Sequence, residues 1–348
     1  MLKTPEKNMS VLIHAMDPFD FPKPVPFDPA KSGFCPEKAR MLLLCSRLVY
    51  EDPAAIGELL SGPGWHLNPE EDFRFISKDH TQLFMMKLDS SVFVVFRGTE
   101  TENFWDWRID ADVRQCVDSV IGERGGLVHK GFSDGLESVW EPVRKTLDEW
   151  SRSGVSSNVL VSGHSLGAAL AELAAVRIAC TYGCERIASV YTFGKPRVGN
   201  AVYVDFMTTL LGSRFFAIVN RNDIVPRIPP EKWGYKPSGT LCCIDDDHRL
   251  QVGKDWLTDV PEYVGDHLEL VTRLFRSEQM ETFVKRLERH SPSGIWLGIG
   301  KALKRLPPGL LDSLKKLIPQ SLVDHFPGEY LKAFSHGENP KTPLKSEL

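Results

Sequence analysis

The sequence predicts an α/β fold in which a mostly parallel central sheet is covered by helices on both faces. Two observations support this prediction. Short β-rich runs alternate with helical stretches between residues 73 and 220, and this alternation is typical of parallel sheets. The run at 91–96, SVFVVF, is apolar throughout, as expected of a central strand with both faces buried.

The elements follow one another in a regular order. A first helix is predicted to begin at Pro36, because proline is well tolerated in the first turn of a helix. The further helices are predicted at 130–150, from 166 to about 181, and at 201–211. The predicted strands are residues 73–77, 81–88, 91–96, 158–163, 189–193 and 215–220.

Four segments are expected along the chain. Residues 1–35 form a proline-rich arm, since the six prolines within 17–36 are incompatible with a helix or a central strand. Residues 36–254 form the α/β core and residues 255–320 a helical insertion or cap. Residues 321–348 form a closing segment with a flexible tail.

The insertion contains a segment, residues 291–320, whose role is open. Between residues 294 and 317, apolar residues and lysines follow a helical spacing around a break at Pro307 and Pro308. Such amphipathic helices usually pack on a core, but the same composition is suited to peripheral contact with a membrane or lipid surface.

Composition narrows the classes of partner and location. A formal net charge of -4 over 348 residues gives no electrostatic basis for binding nucleic acid. The sequence has no apolar stretch long enough to span a membrane and no secretory leader pattern. The seven cysteines lack metal-ligand spacing and are expected to be reduced thiols. We therefore expect a cytoplasmic protein with neither metal nor cofactor, while its oligomeric state stays undetermined.

The pentapeptide GHSLG at 163–167 is the strongest catalytic signal. It follows a strand-like apolar run and precedes the helix-forming LGAALAELAAVRIA, which is the strand–turn–helix context of a nucleophile elbow. The glycines suit a turn so tight that side chains would collide with the neighbouring elements. Ser165 is therefore the predicted nucleophile, and the alternative is a small-residue turn that only packs.

Five ordered motifs extend this signal into a family resemblance. They are FRGTETENFWDW at 96–107, LVHKGFSDGL at 127–136, VSGHSLGAALAELAA at 161–175, TFGKPRVGN at 192–200 and VNRNDIVPRIP at 219–229. Together they resemble the class 3 lipases, the fungal-type triacylglycerol lipase family, over roughly residues 36–245. The resemblance implies an α/β-hydrolase fold and hydrolysis of ester bonds.

A serine needs a base and an orienting acid, which follow it in the chain order Ser, acid, His in this fold. Asp223 comes directly after the strand at 215–220, and its motif resembles the acid loop of the family. His325, in LVDHFPGEYLKAF, resembles the family's closing Asp-His segment with a tyrosine, here Tyr330, shortly after it. His267 has a similar local sequence and lies nearer to Asp223, so it stays open as an alternative base.

The negative oxygen of a tetrahedral intermediate needs hydrogen-bond donors. The elbow geometry supplies the backbone N–H of Leu166, and the resemblance implies Thr99 as the second donor. Phe104, Trp105 and His164 are the predicted substrate-binding residues. The aromatic pair follows Thr99 where family members carry a lid, although core packing is its alternative role. His164 is the variable position of the elbow, so we expect it to support the site.

These residues predict a serine ester hydrolase of lipids, most similar to acylglycerol lipases, acting through an acyl-Ser165 intermediate. A phospholipase, a galactolipase or a general carboxylesterase would use the same residues, and a peptidase is a weaker possibility. A protein of a different class would be a catalytically silent, lipase-like protein that binds a lipid or a partner. An intact serine, acid and histidine argue against that last alternative.

Overall fold

The computed structural model describes residues 24–29, 31, 33–62, 64–65, 67–98, 114–152, 158–253 and 324–335. Its helices are α1 (Pro36–Leu48), α2 (Pro53–Ser61), α3 (Pro69–Asp72), α4 (Lys130–Arg152), α5 (Leu166–Tyr182), α6 (Ala201–Leu211) and α7 (Pro327–Ser335). Its strands are β1 (Phe73–Lys78), β2 (Thr81–Leu88), β3 (Ser91–Phe96), β4 (Gln115–Cys116), β5 (Val128–His129), β6 (Asn158–His164), β7 (Ile187–Phe193), β8 (Phe215–Asn220), β9 (Thr240–Ile244) and β10 (Leu250–Val252).

Eight strands form the central sheet in the order β1-β2-β3-β6-β7-β8-β9-β10. The five strands β3, β6, β7, β8 and β9 run parallel to one another. Antiparallel strands extend both edges, through β1 and β2 on one side and β10 on the other. The carboxyl ends of the parallel strands therefore lie along one edge of the sheet, where ligand sites of such sheets form.

Helices bury both faces of this sheet. One apolar cluster joins α1 and α7 to the side chains of Tyr191 and Phe216 on one face. The second cluster joins α4, α5 and α6 to the opposite face and includes the fully buried Val161 and Val190. Alternate residues along a strand point to opposite faces, so neighbouring apolar residues of the same strand enter different clusters.

This architecture confirms the predicted α/β fold with a mostly parallel sheet flanked by helices. Helix α1 begins at Pro36, as expected. All seven cysteines are free thiols. No helix within the described residues has the length and apolar character needed to cross a membrane. The proposed cap at 255–320 and most of the arm at 1–35 lie outside the described residues.

Candidate active site

Ser165 lies on a sharp turn between β6 and α5. Its backbone has φ 59° and ψ −129°, and a positive φ is unfavourable for any residue with a side chain. The Ser165 N–H donates a hydrogen bond to the Phe193 carbonyl at 2.9 Å, which ties the turn to β7. Its side chain makes no capping bond to α5, so the hydroxyl is not used to hold the helix.

Two glycines make this turn sterically possible. A Cβ atom at Gly163 would lie 2.3 Å from the Gly167 carbonyl oxygen, and one at Gly167 would lie 2.4 Å from the Phe96 carbonyl oxygen. Both separations are far below van der Waals contact. The lack of a side chain at Gly163 therefore lets the first turn of α5 fold back against β6, and the lack of one at Gly167 lets that turn approach β3.

Asp223 follows β8 and its side chain is fully buried. Its Oδ1 accepts a hydrogen bond from the Val225 N–H at 2.9 Å. Its Oδ2 accepts from His325 Nδ1 at 2.8 Å and from the Tyr330 hydroxyl at 2.5 Å. A buried carboxylate needs such donors to offset its loss of hydration.

His325 lies in the turn before α7, and its ring has two distinct environments. Nδ1 faces the Asp223 carboxylate, whereas Nε2 is buried and has no hydrogen-bond partner among the described residues. A carboxylate on Nδ1 holds the tautomer in which Nε2 carries the lone pair. The ring centroid lies 4.6 Å from that of His164, the residue that directly precedes Ser165.

Gly194 closes the site from β7. It has φ +59°, and a Cβ atom there would lie 2.8 Å from Asp223 Oδ2 and 2.8 Å from both Nδ1 and Cε1 of His325. The Asp223 carboxylate and the His325 ring are therefore packed directly against this backbone position. Sequence reasoning missed Gly194, although its place directly after the strand at 189–193 was an available signal.

Burial sets the protonation states of His164 and Tyr330, which lie beside Asp223 and His325. Burial lowers the pKa of His164 well below its usual value, and the nearby His325 lowers it further. Burial and then the charge of Asp223 raise the pKa of Tyr330 well above its usual value. Tyr330 therefore keeps its proton for the bond to Asp223, and His164 stays neutral.

Two of the remaining predicted residues lie in the described part of the chain, and four lie outside it. Leu166 is the first residue of α5, so its N–H lies at the amino end of that helix. The His164 ring is buried, with both ring nitrogens facing protein atoms. Thr99, Phe104, Trp105 and the alternative base His267 lie outside the described residues.

A metal site was not expected from the sequence. Within the described residues, no group of three or more histidine, cysteine, aspartate or glutamate side chains could hold a metal ion.

The parallel sheet, the strained serine turn after a central strand and the Asp–His pair are features of the α/β-hydrolase fold. Residues 93–233 match the family model described as lipase (class 3). A secreted mono- and diacylglycerol lipase of Malassezia globosa is 30% identical over 193 residues, which are 51% of this chain and 62% of that protein. A lipase of Rhizomucor miehei is 30% identical over 204 residues, which are 54% of each chain.

A solved structure adds a likeness of fold. The mono- and diacylglycerol lipase from Aspergillus oryzae aligns with a TM-score of 0.52 at 21% identity, covering 64% of this chain and 87% of that one. The present chain spans 54% to 62% of the length of the two curated relatives. Residues 93–233 of the chain are similar to the class 3 lipase family.

The comparison corrects the expected location. The sequence predicts a cytoplasmic protein, but the relative from Malassezia globosa is named as secreted, as are others of that genus. These names point to an extracellular location, so the cytoplasmic expectation is wrong. The cytoplasmic expectation rested on the lack of a leader pattern and of disulfide spacing. Neither absence identifies the compartment in which a protein is found.

Proposed function

We propose that this protein is a serine ester hydrolase that cleaves carboxylic esters of lipids through an acyl intermediate on Ser165. The observation that carries the proposal is the 2.8 Å hydrogen bond between His325 Nδ1 and the buried Asp223 carboxylate, beside the strained turn of Ser165. This bond leaves Nε2 of His325 as the group able to accept a proton.

In the first half of the proposed reaction, the Ser165 oxygen attacks the carbonyl carbon of the ester while His325 Nε2 takes the hydroxyl proton. The tetrahedral intermediate collapses when the bond to the leaving oxygen breaks, and the imidazolium returns its proton to that oxygen. An alcohol departs and the acyl group remains on Ser165. Asp223 stays ionised and stabilises the imidazolium.

In the second half, water attacks the acyl-serine carbonyl and gives a proton to His325 Nε2. The bond to the Ser165 oxygen then breaks, and that oxygen takes the proton back as the carboxylic acid leaves. The negative oxygen of both intermediates would be held by the Leu166 N–H and by Thr99. One such donor contributes about 3 kcal/mol to transition-state stabilisation.

Acylglycerols are the proposed substrate class. The names of the matching relatives support this choice, since they are described as lipases and as mono- and diacylglycerol lipases. Phe104 and Trp105 would contact the acyl chain, and residues 291–320 would contact the lipid surface. Phospholipid, galactolipid and short-ester hydrolysis use the same chemistry, so a panel of these substrates discriminates among them.

The proposal is tested by comparing three variants on a soluble short-chain nitrophenyl ester. Ser165→Ala and His325→Ala should each lower kcat by about 10⁴-fold or more, because nucleophile and base act as one unit. His267→Ala is the matched histidine control and should retain the activity of the native enzyme. Loss of activity in His267→Ala, with His325→Ala still active, would assign the base to the other histidine.

A further inference from the structure

A chain of hydrogen bonds passes beneath the proposed catalytic residues. Tyr50, just beyond the end of α1, is buried, and its hydroxyl lies 3.2 Å from His164 Nδ1. The Gly98 backbone packs closely against that hydroxyl. On the other side of the ring, His164 Nε2 lies 2.6 Å from the carbonyl oxygen of His325.

The chemistry of the end groups fixes the direction of this chain. A carbonyl oxygen only accepts, so His164 Nε2 carries the hydrogen and donates it to His325. Neutral His164 then has its lone pair on Nδ1, so the Tyr50 hydroxyl donates to it. His164 therefore uses both ring nitrogens in one consistent arrangement.

The chain joins three parts of the fold that the proposed reaction needs together. Gly98 lies two residues beyond the end of β3 and directly before Thr99, and His164 precedes the nucleophile. His325 carries the base. The approach of Gly98 to Tyr50 is close, since a Cβ atom at Gly98 would lie 2.2 Å from the Tyr50 hydroxyl. Small displacements of a base relative to its nucleophile cost up to about 100-fold in rate.

We propose that Tyr50 and His164 are positioning residues. They hold the His325 backbone so that its imidazole keeps its position relative to Ser165 and to Gly98. The proposal rests on the proposed function, because it assigns these residues a role in the same reaction. Neither side chain contacts the scissile ester in this account. Both act through the backbone of the base and of the strand that leads to the oxyanion donor.

The decisive pair of variants is His164→Gln and His164→Asn. The Gln amide nitrogen reaches the place of Nε2 and can still donate to the His325 carbonyl, whereas the Asn amide nitrogen reaches only the place of Nδ1. His164→Asn should lower kcat about 100-fold and His164→Gln no more than about tenfold, with KM nearly unchanged in both. Equal kcat values for the two variants would overturn the proposal.

Tyr50→Phe gives a second test that keeps the shape of the core. Its kcat should fall about tenfold, and the double variant with His164→Asn should be no slower than His164→Asn alone, because both changes break one chain. Tyr191→Phe is the matched control, since Tyr191 is also buried and accepts a hydrogen bond from the Cys35 N–H. Additive losses, or an equal loss in the control, would contradict the proposal.

Failure of the inference is distinguishable from failure of the proposed function. If the native protein hydrolyses no ester, the function is wrong, and the inference is then judged by proton NMR. The Nδ1 proton of His325, bonded to Asp223, should shift or broaden in Tyr50→Phe and stay unchanged in Tyr191→Phe. An unchanged resonance in both variants would show that Tyr50 does not position the base.

Discussion

Gly194 shows how tightly the acid and the base are packed at the scale of single residues. Its positive φ and the 2.8 Å separations from Asp223 and His325 leave no space for a side chain. Motifs in the sequence mark Ser165 and Asp223, and they mark His325 with His267 as its alternative. No motif marks Tyr50, because its importance depends on contacts between segments far apart in the chain.

Replacing Gly194 with alanine should therefore reduce activity. The new Cβ must displace the Asp223 carboxylate or the His325 ring, so kcat for a soluble ester should fall at least about tenfold. Gly212→Ala is the matched control, because Gly212 has φ +50° with no atom near its added Cβ. That control should lose about 1 kcal/mol of unfolding free energy and keep its kcat, and a similar kcat loss in both variants would contradict the account.

At the scale of elements, the long buried segments of the fold were predictable and several short elements were not. Strand β3 and helix α5 are long apolar segments whose composition alone indicates burial. Helix α2 was missed although Asp52 caps its first turn by accepting from the Ala54 N–H. Strand β9 was missed because its five residues, two of them partly exposed, carry too little periodicity, and its pairing with β8 depends on tertiary structure.

A buried ion pair links α5 to the turn after β4. Arg177 donates to Asp118 at 2.8 Å and both side chains are inaccessible to solvent. Arg177→Met should lower the unfolding free energy by about 3–5 kcal/mol, because it leaves a buried carboxylate without its cation. Lys130→Met removes the exposed pair with Asp134 and should cost under about 1 kcal/mol. Denaturant titration of both variants checks this, and equal losses would contradict it.

At the scale of the whole molecule, the site depends on distant parts of the chain. His325 lies 102 positions after the aspartate to which it bonds. The sequence left His267 open as the base because local patterns cannot tell which histidine returns to the sheet. The structure brings His325 beside Asp223 through α7, whose Tyr330 and Leu331 pack in the same apolar cluster as α1.

The buried histidines predict a pH dependence of global stability. Burial lowers the pKa of His129 to about 3 and that of His164 well below its usual value. Below about pH 6.5 the unfolded chain binds protons at both residues and the folded chain does not, so stability falls as pH decreases. Between pH 7.5 and pH 5, each histidine should remove about 2 kcal/mol.

Urea unfolding at pH 7.5 and pH 5 measures this loss directly. The variant His129→Gln lacks one of the two titrating groups, so its loss of stability between the two pH values should be smaller by about 2 kcal/mol. The same pH-dependent loss in the variant and in the native protein would mean that His129 binds protons equally in both states.

The central claim, that Ser165 is an activated nucleophile, is tested most directly by labelling with an alkyl fluorophosphonate and mapping the modified peptide. One phosphonyl group should appear on Ser165, because its oxygen displaces fluoride when His325 accepts the proton. Labelling should become far slower in Asp223→Asn, in which the imidazole loses its orienting carboxylate. A folded native protein that stays unlabelled, or that carries the label on another residue, would contradict the account.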